Sequence, residues 1–298
     1  VADSHPNYFS TQFAKEYALN NDLPFHFVQH HKAHIYSVMA ENNLTDVIGV
    51  SFDGTGYGDD GNIWGGEFFV VQKNECERFA HLDYVPMVSG ARAAKEPWRM
   101  GLIYAYLHCN DFVDDFFTEE RFPQKDMILL QLFNNTVKLQ TSSMGRFFDA
   151  VASLIDVCHY NTYEGEAPMK LEALAVEDLS ESYNYTFDKQ LSHIELGELI
   201  MGIIYDIRQK KPKEYISSKF HFTIASLVYD LCKKMKQETG IDAVALSGGV
   251  FQNVVLVNMI KRVFAGRDFR LFWNEKVPPN DAGIALGQVY AYLLKSRQ

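Results

Sequence analysis

Apolar residues change their spacing along the chain, and the changes mark out its elements. Near the start, Tyr8, Phe9, Phe13 and Tyr17 recur at helical spacing and predict a short helix over 8–19. A second helix is predicted over about 33–41. The pattern then becomes that of a buried strand over 47–52, followed by closely spaced glycines and by strands over 67–72 and 79–84. Strand, glycine turn and strand in this order predict an antiparallel hairpin extended into a meander. The middle of the chain returns to helical spacing over 98–107, 144–155, 168–175, 194–207 and 214–239. In the last of these Ile216, Phe220, Ile224, Leu227, Leu231 and Met235 keep one face apolar, and Gly240 supplies the C-cap. The end alternates, with strand 243–246, helix 254–264, strand 269–273 and helix 281–294. Meander, helical middle and βαβα tail predict a two-lobed α/β protein with mixed sheets. One lobe lies over about 1–140, the other over about 141–298, with a single cleft between them.

Composition narrows the function. The 298 residues are 47% hydrophobic and 14% aromatic, enough for a substantial core, and the formal net charge is −10. Without a basic stripe, such a chain is a poor general binder of nucleic acid, where phosphate neutralisation dominates affinity. Cys76, Cys109, Cys158 and Cys232 are scattered and form no CxxC pair. They predict neither a zinc ribbon nor a disulfide framework, and they fit a reduced, cytoplasmic setting. No apolar run is long enough to span a bilayer, and no secretory signal opens the sequence. A first residue of Val1 rather than Met leads us to expect a piece of a longer protein.

Several motifs carry candidate chemistry. His30 and His34 stand four residues apart, which on a helix puts both imidazoles on one face about 6 Å apart along the axis. The spacing suits a shared metal, although such pairs are more often surface residues. His31 and Lys32 are expected to be exposed neighbours. Asp53-Gly54-Thr55-Gly56-Tyr57-Gly58 ends the first meander strand, and its glycines would let backbone N–H groups approach an anion. The run is not a Walker loop, since no GKS or GKT follows, and Trp64 stands where an EF-hand needs a glutamate. Asp59 and Asp60 read as solvated turn residues. Ser247-Gly248-Gly249, between a buried strand and a helix, is a second anion cradle, with Asn253 as helix cap or nucleoside ligand. Asp281 opens the last helix, as a first-turn carboxylate or a metal ligand. Arg146 and Asp149 are spaced for an i,i+3 ion pair, and Asp149 also suits a ribose hydroxyl.

Taken together, the stretches HPNYFST, QHHKAHIYSVMAE, SFDGTGYGDDGNIWGGEF, SGARAAKEPWRM, TSSMGRFFDAVASL, TYEGEAPMKLEALA, ALSGGVFQN and VPPNDAGIALGQ resemble the C-terminal, TsaD-like module of the HypF hydrogenase-maturation carbamoyltransferases. They run in family order over nearly the whole chain. The resemblance implies an actin-like, ASKHA-type fold with a nucleotide in the interlobe cleft. It implies a divalent metal, Zn²⁺ or Fe²⁺, held by His30, His34, Asp53 and Asp281. The first three of these would be catalytic. Gly54, Thr55, Gly56, Gly58, Gly248 and Gly249 would face phosphate, and Asp149, Gly165 and Asn253 the nucleoside.

The resemblance also implies a reaction, in which a carbamoyl group passes from carbamoyl-adenylate to the C-terminal cysteine of a HypE-type partner. The adenylate would be made from carbamoyl phosphate and ATP by a YrdC-like domain that precedes this module in the family, along with acylphosphatase and zinc-finger domains. Two departures stand out. Lys32 replaces a frequent third histidine, and Glu166-Ala167-Pro168 replaces a frequent Gln-Ala-Ala. O-carbamoylation of a small hydroxylated metabolite, and nucleotide binding without transfer, are the alternative readings. Neither membrane nor nucleic acid is an expected partner, and the acidic balance and the Asp53 loop argue against tRNA threonylcarbamoylation.

Overall fold

A computed structural model describes residues 1–296 of the chain and shows a mixed α/β fold in two compact units. The first unit comprises residues 1–80, 230–252 and 266–298, and the second 81–229 and 253–265. Strand Glu75–Leu82 carries the chain out of the first unit, and the long helix Lys213–Thr239 brings it back. Each unit is therefore discontinuous in sequence, which a single break near residue 140 does not describe.

In the first unit the strands run in the order Arg270–Trp273, Ala243–Ser247, Val47–Tyr57, Ile63–Gln72 and Glu75–Leu82. The first two pairings are parallel and the hairpin Val47–Tyr57 to Ile63–Gln72 is antiparallel. Val47, Ile48, Val50 and Phe52 are fully buried, as are Val244 and Ala245. Burial on both faces explains their nearly continuous apolar runs. Helix His30–Asn42 packs on this sheet and against helix Ile284–Ser296. The two helices approach so closely that a Cβ on Gly287 would collide with the Ala33 carbonyl.

The predicted glycine turn is corrected. Strand Val47–Tyr57 runs on through Gly54 and Gly56, with a register shift between Phe52 and Gly56, and the chain reverses only at Asp59-Asp60-Gly61. The bulge keeps the strand paired while re-aiming the residues after Phe52.

In the second unit, helices Pro97–His108 and Met144–Leu154 pack together, and Glu166–Leu174 lies on the latter. Every residue of Met144–Leu154 is buried. The helix predicted over 194–207 begins later, at Gly197, because Ile194 lies in the short strand His193–Glu195, which pairs with His81 and Leu82. Helices Asn110–Phe116 and Lys125–Phe133 were not anticipated, being short for a periodicity to show. Among the described residues no helix is long and apolar enough to cross a membrane.

Candidate metal centre and other candidate site residues

The histidine helix starts earlier than predicted, at His30, because Gln29 caps it by accepting a hydrogen bond from the Lys32 N–H at 3.0 Å. Starting there puts His30 and His34 on consecutive turns of one face, with ring centroids 5.0 Å apart. The bulged strand delivers Asp53 to the same place. Its Oδ2 lies 3.3 Å from His30 Nε2 and 3.5 Å from His34 Nε2. Asp281 arrives from a single 3-10 turn, Asp281–Gly283, whose cap is Asn280. Its Oδ1 lies 3.4 Å from His30 Nε2 and 3.7 Å from His34 Nε2. One ligand atom from each of the four residues falls within 4.8 Å of the others. The imidazoles and Asp53 are buried, whereas the Asp281 side chain is 63% exposed, so the cluster opens to solvent on the Asp281 side.

The electrostatics follow from this crowding. Burial opposes a charge on His30, but hydrogen bonds to Asp281, Asp3 and Asp53 more than offset it, and its pKa rises well above the ordinary value. His34 is raised in the same way, against burial, by Asp281 and Asp53. Asp53 sits well below the usual carboxylate range, burial being outweighed by its bonds to the two histidines, and the same histidines depress Asp281. Two buried imidazoles flanked by carboxylates demand positive charge, and either protons or a metal ion would satisfy that demand. Two nitrogen and two oxygen donors fit Zn²⁺ or Fe²⁺ by chemistry.

Around the cluster the glycines have packing reasons as well. A Cβ on Gly56 would strike the His30 and His31 rings, and one on Gly58 would strike the Trp64 indole. Gly248 has φ +109° and lies against the Phe52 carbonyl, and the Gly249 N–H donates to Asp53 Oδ1 at 3.1 Å. Thr55 is exposed on the bulge beside Gly54.

His31 contradicts its expected exposure. It is fully buried, and burial, with the nearby His30 charge, pushes its pKa well below the ordinary value. The Gln29 amide donates to His31 Nδ1 at 3.1 Å and to the Tyr57 carbonyl at 2.9 Å, so the ring serves as a packing element between helix and strand. Lys32 points outward to Asp59 at 3.4 Å, and Asp60, exposed as expected, also accepts from the Trp64 indole at 2.9 Å.

Asp149, Gly165 and Asn253 belong to the second unit. Asn253 caps helix Val254–Phe264, accepting from the Leu256 N–H at 2.8 Å. Its amide also donates to His221 Nε2 at 2.9 Å, since His221 Nδ1 is occupied in donating to the Ser217 carbonyl. Gly165, at φ +78°, precedes helix Glu166–Leu174, and the space a Cβ would enter is open. Asp149 forms the expected pair with Arg146, at 2.7 Å. Burial pushes the Asp149 carboxyl up to about 6, with Arg146 and Asn161 holding it down. Its folded pKa therefore lies above the unfolded value. The stability it contributes is complete below about pH 4 and is lost as pH rises through about 6. Between those limits the wild type should lose about 3 kcal/mol relative to Asp149→Asn, in denaturant titrations at several pH values. Parallel pH profiles would refute the shift.

Sequence reasoning missed Asp3 and Asn161. Asp3 is buried, and its Oδ2 lies 2.8 Å from His30 Nδ1. It sits in a two-residue strand, too short to leave a periodicity. The Asn161 side chain ties the Ala94 carbonyl to the Ala167 N–H, and its one signal was its place just before the Tyr163–Glu166 motif.

The chain is similar to known proteins over nearly its whole length. Residues 1–41 match the family described as the HypF Kae1-like domain, and residues 49–288 match its continuation, described as carbamoyltransferase, Kae1-like domain, second subdomain. The chain belongs to the HypF carbamoyltransferase family. A carbamoyltransferase HypF from Synechocystis is 36% identical over 98% of this chain, which spans only 39% of that relative's length. Full-length HypF crystallised in a phosphate- and nucleotide-bound form is 42% identical, with a TM-score of 0.87 over 98% of this chain and 46% of its own. HypF from T. kodakarensis is 33% identical, with a TM-score of 0.88 over 99% of this chain and 40% of its own. The mixed α/β architecture is that of the Kae1-like part of HypF, in keeping with the actin-like fold expected.

Proposed function

We propose that this chain is the carbamoyl-transfer module of a longer, multidomain HypF-type protein acting in hydrogenase maturation. It takes carbamoyl-adenylate and passes the carbamoyl group to the C-terminal cysteine of a HypE-type partner. The convergence of His30, His34, Asp53 and Asp281 on one point carries this reading, because it supplies a metal-binding donor set next to the two glycine segments.

A bound Zn²⁺ or Fe²⁺ would supply Lewis-acid polarisation of a phosphate or carbamoyl oxygen. His30, His34, Asp53 and Asp281 would hold the ion, with the exposed Asp281 side leaving the cluster reachable from solvent. Gly54, Thr55, Gly56, Gly58, Gly248 and Gly249 are assigned to the phosphate, where the missing side chains of the glycines would let an anion approach the backbone, although the N–H groups of Gly58, Gly248 and Gly249 already donate to Asn62, Pro279 and Asp53. Asp149, Gly165 and Asn253 are assigned to the nucleoside of ATP or AMP. The partner's thiol gives up its proton to solvent, its sulfur adds to the carbamoyl carbon, the bond from that carbon to the phosphate oxygen breaks, and AMP leaves with that bond's electron pair. The acceptor brings its own thiol, so none of the four unpaired cysteines of this chain needs to react. Those free thiols also fit the cytoplasm.

Purified chain with preformed carbamoyl-adenylate should carbamoylate a peptide ending in cysteine, read as a 43 Da gain by mass spectrometry, roughly the mass of a carbamoyl group replacing a thiol proton. With carbamoyl phosphate and ATP instead, no product should form, since adenylate synthesis is assigned to a YrdC-like domain. Product in the second reaction would overturn that division of labour. No product in the first would refute the transfer assignment.

A further inference from the structure

We propose that Asp3 is a positioning residue of the metal centre, one that selects the tautomer of His30. The inference rests on the metal reading above and concerns a residue outside the ligand set. Strand Ala2–Asp3 pairs in parallel with Phe27–Val28, with Asp3 opposite Val28. Two residues beyond Val28 the histidine helix begins, so this pairing sets the Asp3 carboxylate beside the first imidazole. His30 Nδ1 lies 2.8 Å from Asp3 Oδ2, and both side chains are almost completely buried, at 1% and 3% exposure. The opposite nitrogen, Nε2, faces Asp53 and Asp281.

A carboxylate only accepts, so Asp3 requires the hydrogen of a neutral His30 to sit on Nδ1, which leaves the Nε2 lone pair directed at the metal position. The negative charge also raises the basicity of that lone pair. Asp3 is itself held on three sides. Its Oδ1 accepts from the His5 N–H at 2.8 Å, its backbone carbonyl accepts from the Thr11 hydroxyl at 3.1 Å, and its strand is paired. The carboxylate is therefore fixed in place before any metal arrives, as ligand preorganisation requires.

The arrangement makes the isosteric change Asp3→Asn unusually informative. An amide has one acceptor oxygen where the carboxylate has two. If that oxygen continues to serve the His5 N–H, the NH₂ group faces His30 Nδ1 and donates to it. The imidazole then carries its hydrogen on Nε2, the nitrogen the metal needs.

The test is zinc competition against a chromophoric chelator for wild type, Asp3→Asn, Asp3→Ala and His30→Ala. It is combined with thermal melts of the metal-free proteins and with histidine ¹⁵N NMR in alkaline buffer, where the rings are neutral. Asp3→Asn should weaken zinc binding about tenfold to a hundredfold, the range typical of lost outer-shell partners. The His30 signal should move from the Nδ1–H to the Nε2–H tautomer with little change in melting temperature. Asp3→Ala should weaken zinc binding without imposing the second tautomer. Zinc affinity within twofold of wild type in Asp3→Asn, with His30 still Nδ1–H, overturns the role. So does a lowered melting temperature with tautomer and affinity unchanged, because that describes a purely structural residue. If the wild type binds no zinc, the metal reading itself fails and this inference falls with it. If the wild type binds zinc, His30→Ala does not, and Asp3→Asn behaves as wild type, only the role of Asp3 is lost.

Discussion

Replacing His30 with alanine is expected to abolish metal-dependent nucleotide binding while leaving the fold in place. His30 is the centre of the cluster, since its Nε2 is 3.3 Å from Asp53 and 3.4 Å from Asp281 while its Nδ1 faces Asp3. Four-ligand zinc sites bind with about 10–16 kcal/mol in total, so one ligand contributes roughly 3 kcal/mol, or a loss on the order of a hundredfold or more. Two of the three remaining proposed ligands have little room to shift in compensation. His34 is fixed on the helix, and Asp53 on a strand paired on both sides. Calorimetric titration of AMP, with zinc and after chelation, checks this. The wild type should bind only with metal, and His30→Ala should match the chelated wild type at zinc concentrations that just saturate the wild type. Equal binding by mutant and wild type would remove the four-residue centre from the account.

Gly248→Ala is expected to cost about 3 kcal/mol or more and to damage the same centre indirectly. At φ +109° the backbone occupies a region that side chains disfavour by about 1–3 kcal/mol. The added methyl would also press into the Phe52 carbonyl, which is backbone and cannot swing away. Overpacking of this kind adds about 1–3 kcal/mol. Phe52 precedes Asp53, and the neighbouring Gly249 N–H supports Asp53 Oδ1, so any relief of the clash displaces a proposed ligand. The thermal midpoint should fall by roughly 10 °C, and zinc affinity should fall with it. Gly61→Ala is the control. It lies at φ +81° with open space around the new methyl, so it should cost only about 1–2 kcal/mol and leave zinc affinity unchanged. Equal losses at the two glycines would show that backbone strain alone, without the collision, sets the cost.

Much of this molecule was legible in the chain itself. The order of elements followed from spacing, because burial selects apolar residues at the period of each element, and the helix Val254–Phe264 lies where its pattern put it. The pairs set by short sequence separation were readable too, since helix geometry alone brings His30 to His34 and Arg146 to Asp149. Asn253 as a helix cap belongs with these, since the cap and the first turn are adjacent in sequence.

Family resemblance could name the distant residues of the cluster, but local spacing could not join them, and only the tertiary structure decided how they meet. Asp53 reaches the histidines because a bulge, invisible to a two-residue period, re-aims the strand after Phe52. Asp281 reaches them from the far end of the chain, and Asp3 from its beginning, through a pairing of only two residues. The burial of His31 arose likewise, because it depends on a glycine twenty-five positions away that leaves room for the ring. Local spacing records contacts between neighbours along the chain, whereas a site assembled from separated residues is determined by packing, where no single segment carries the signal.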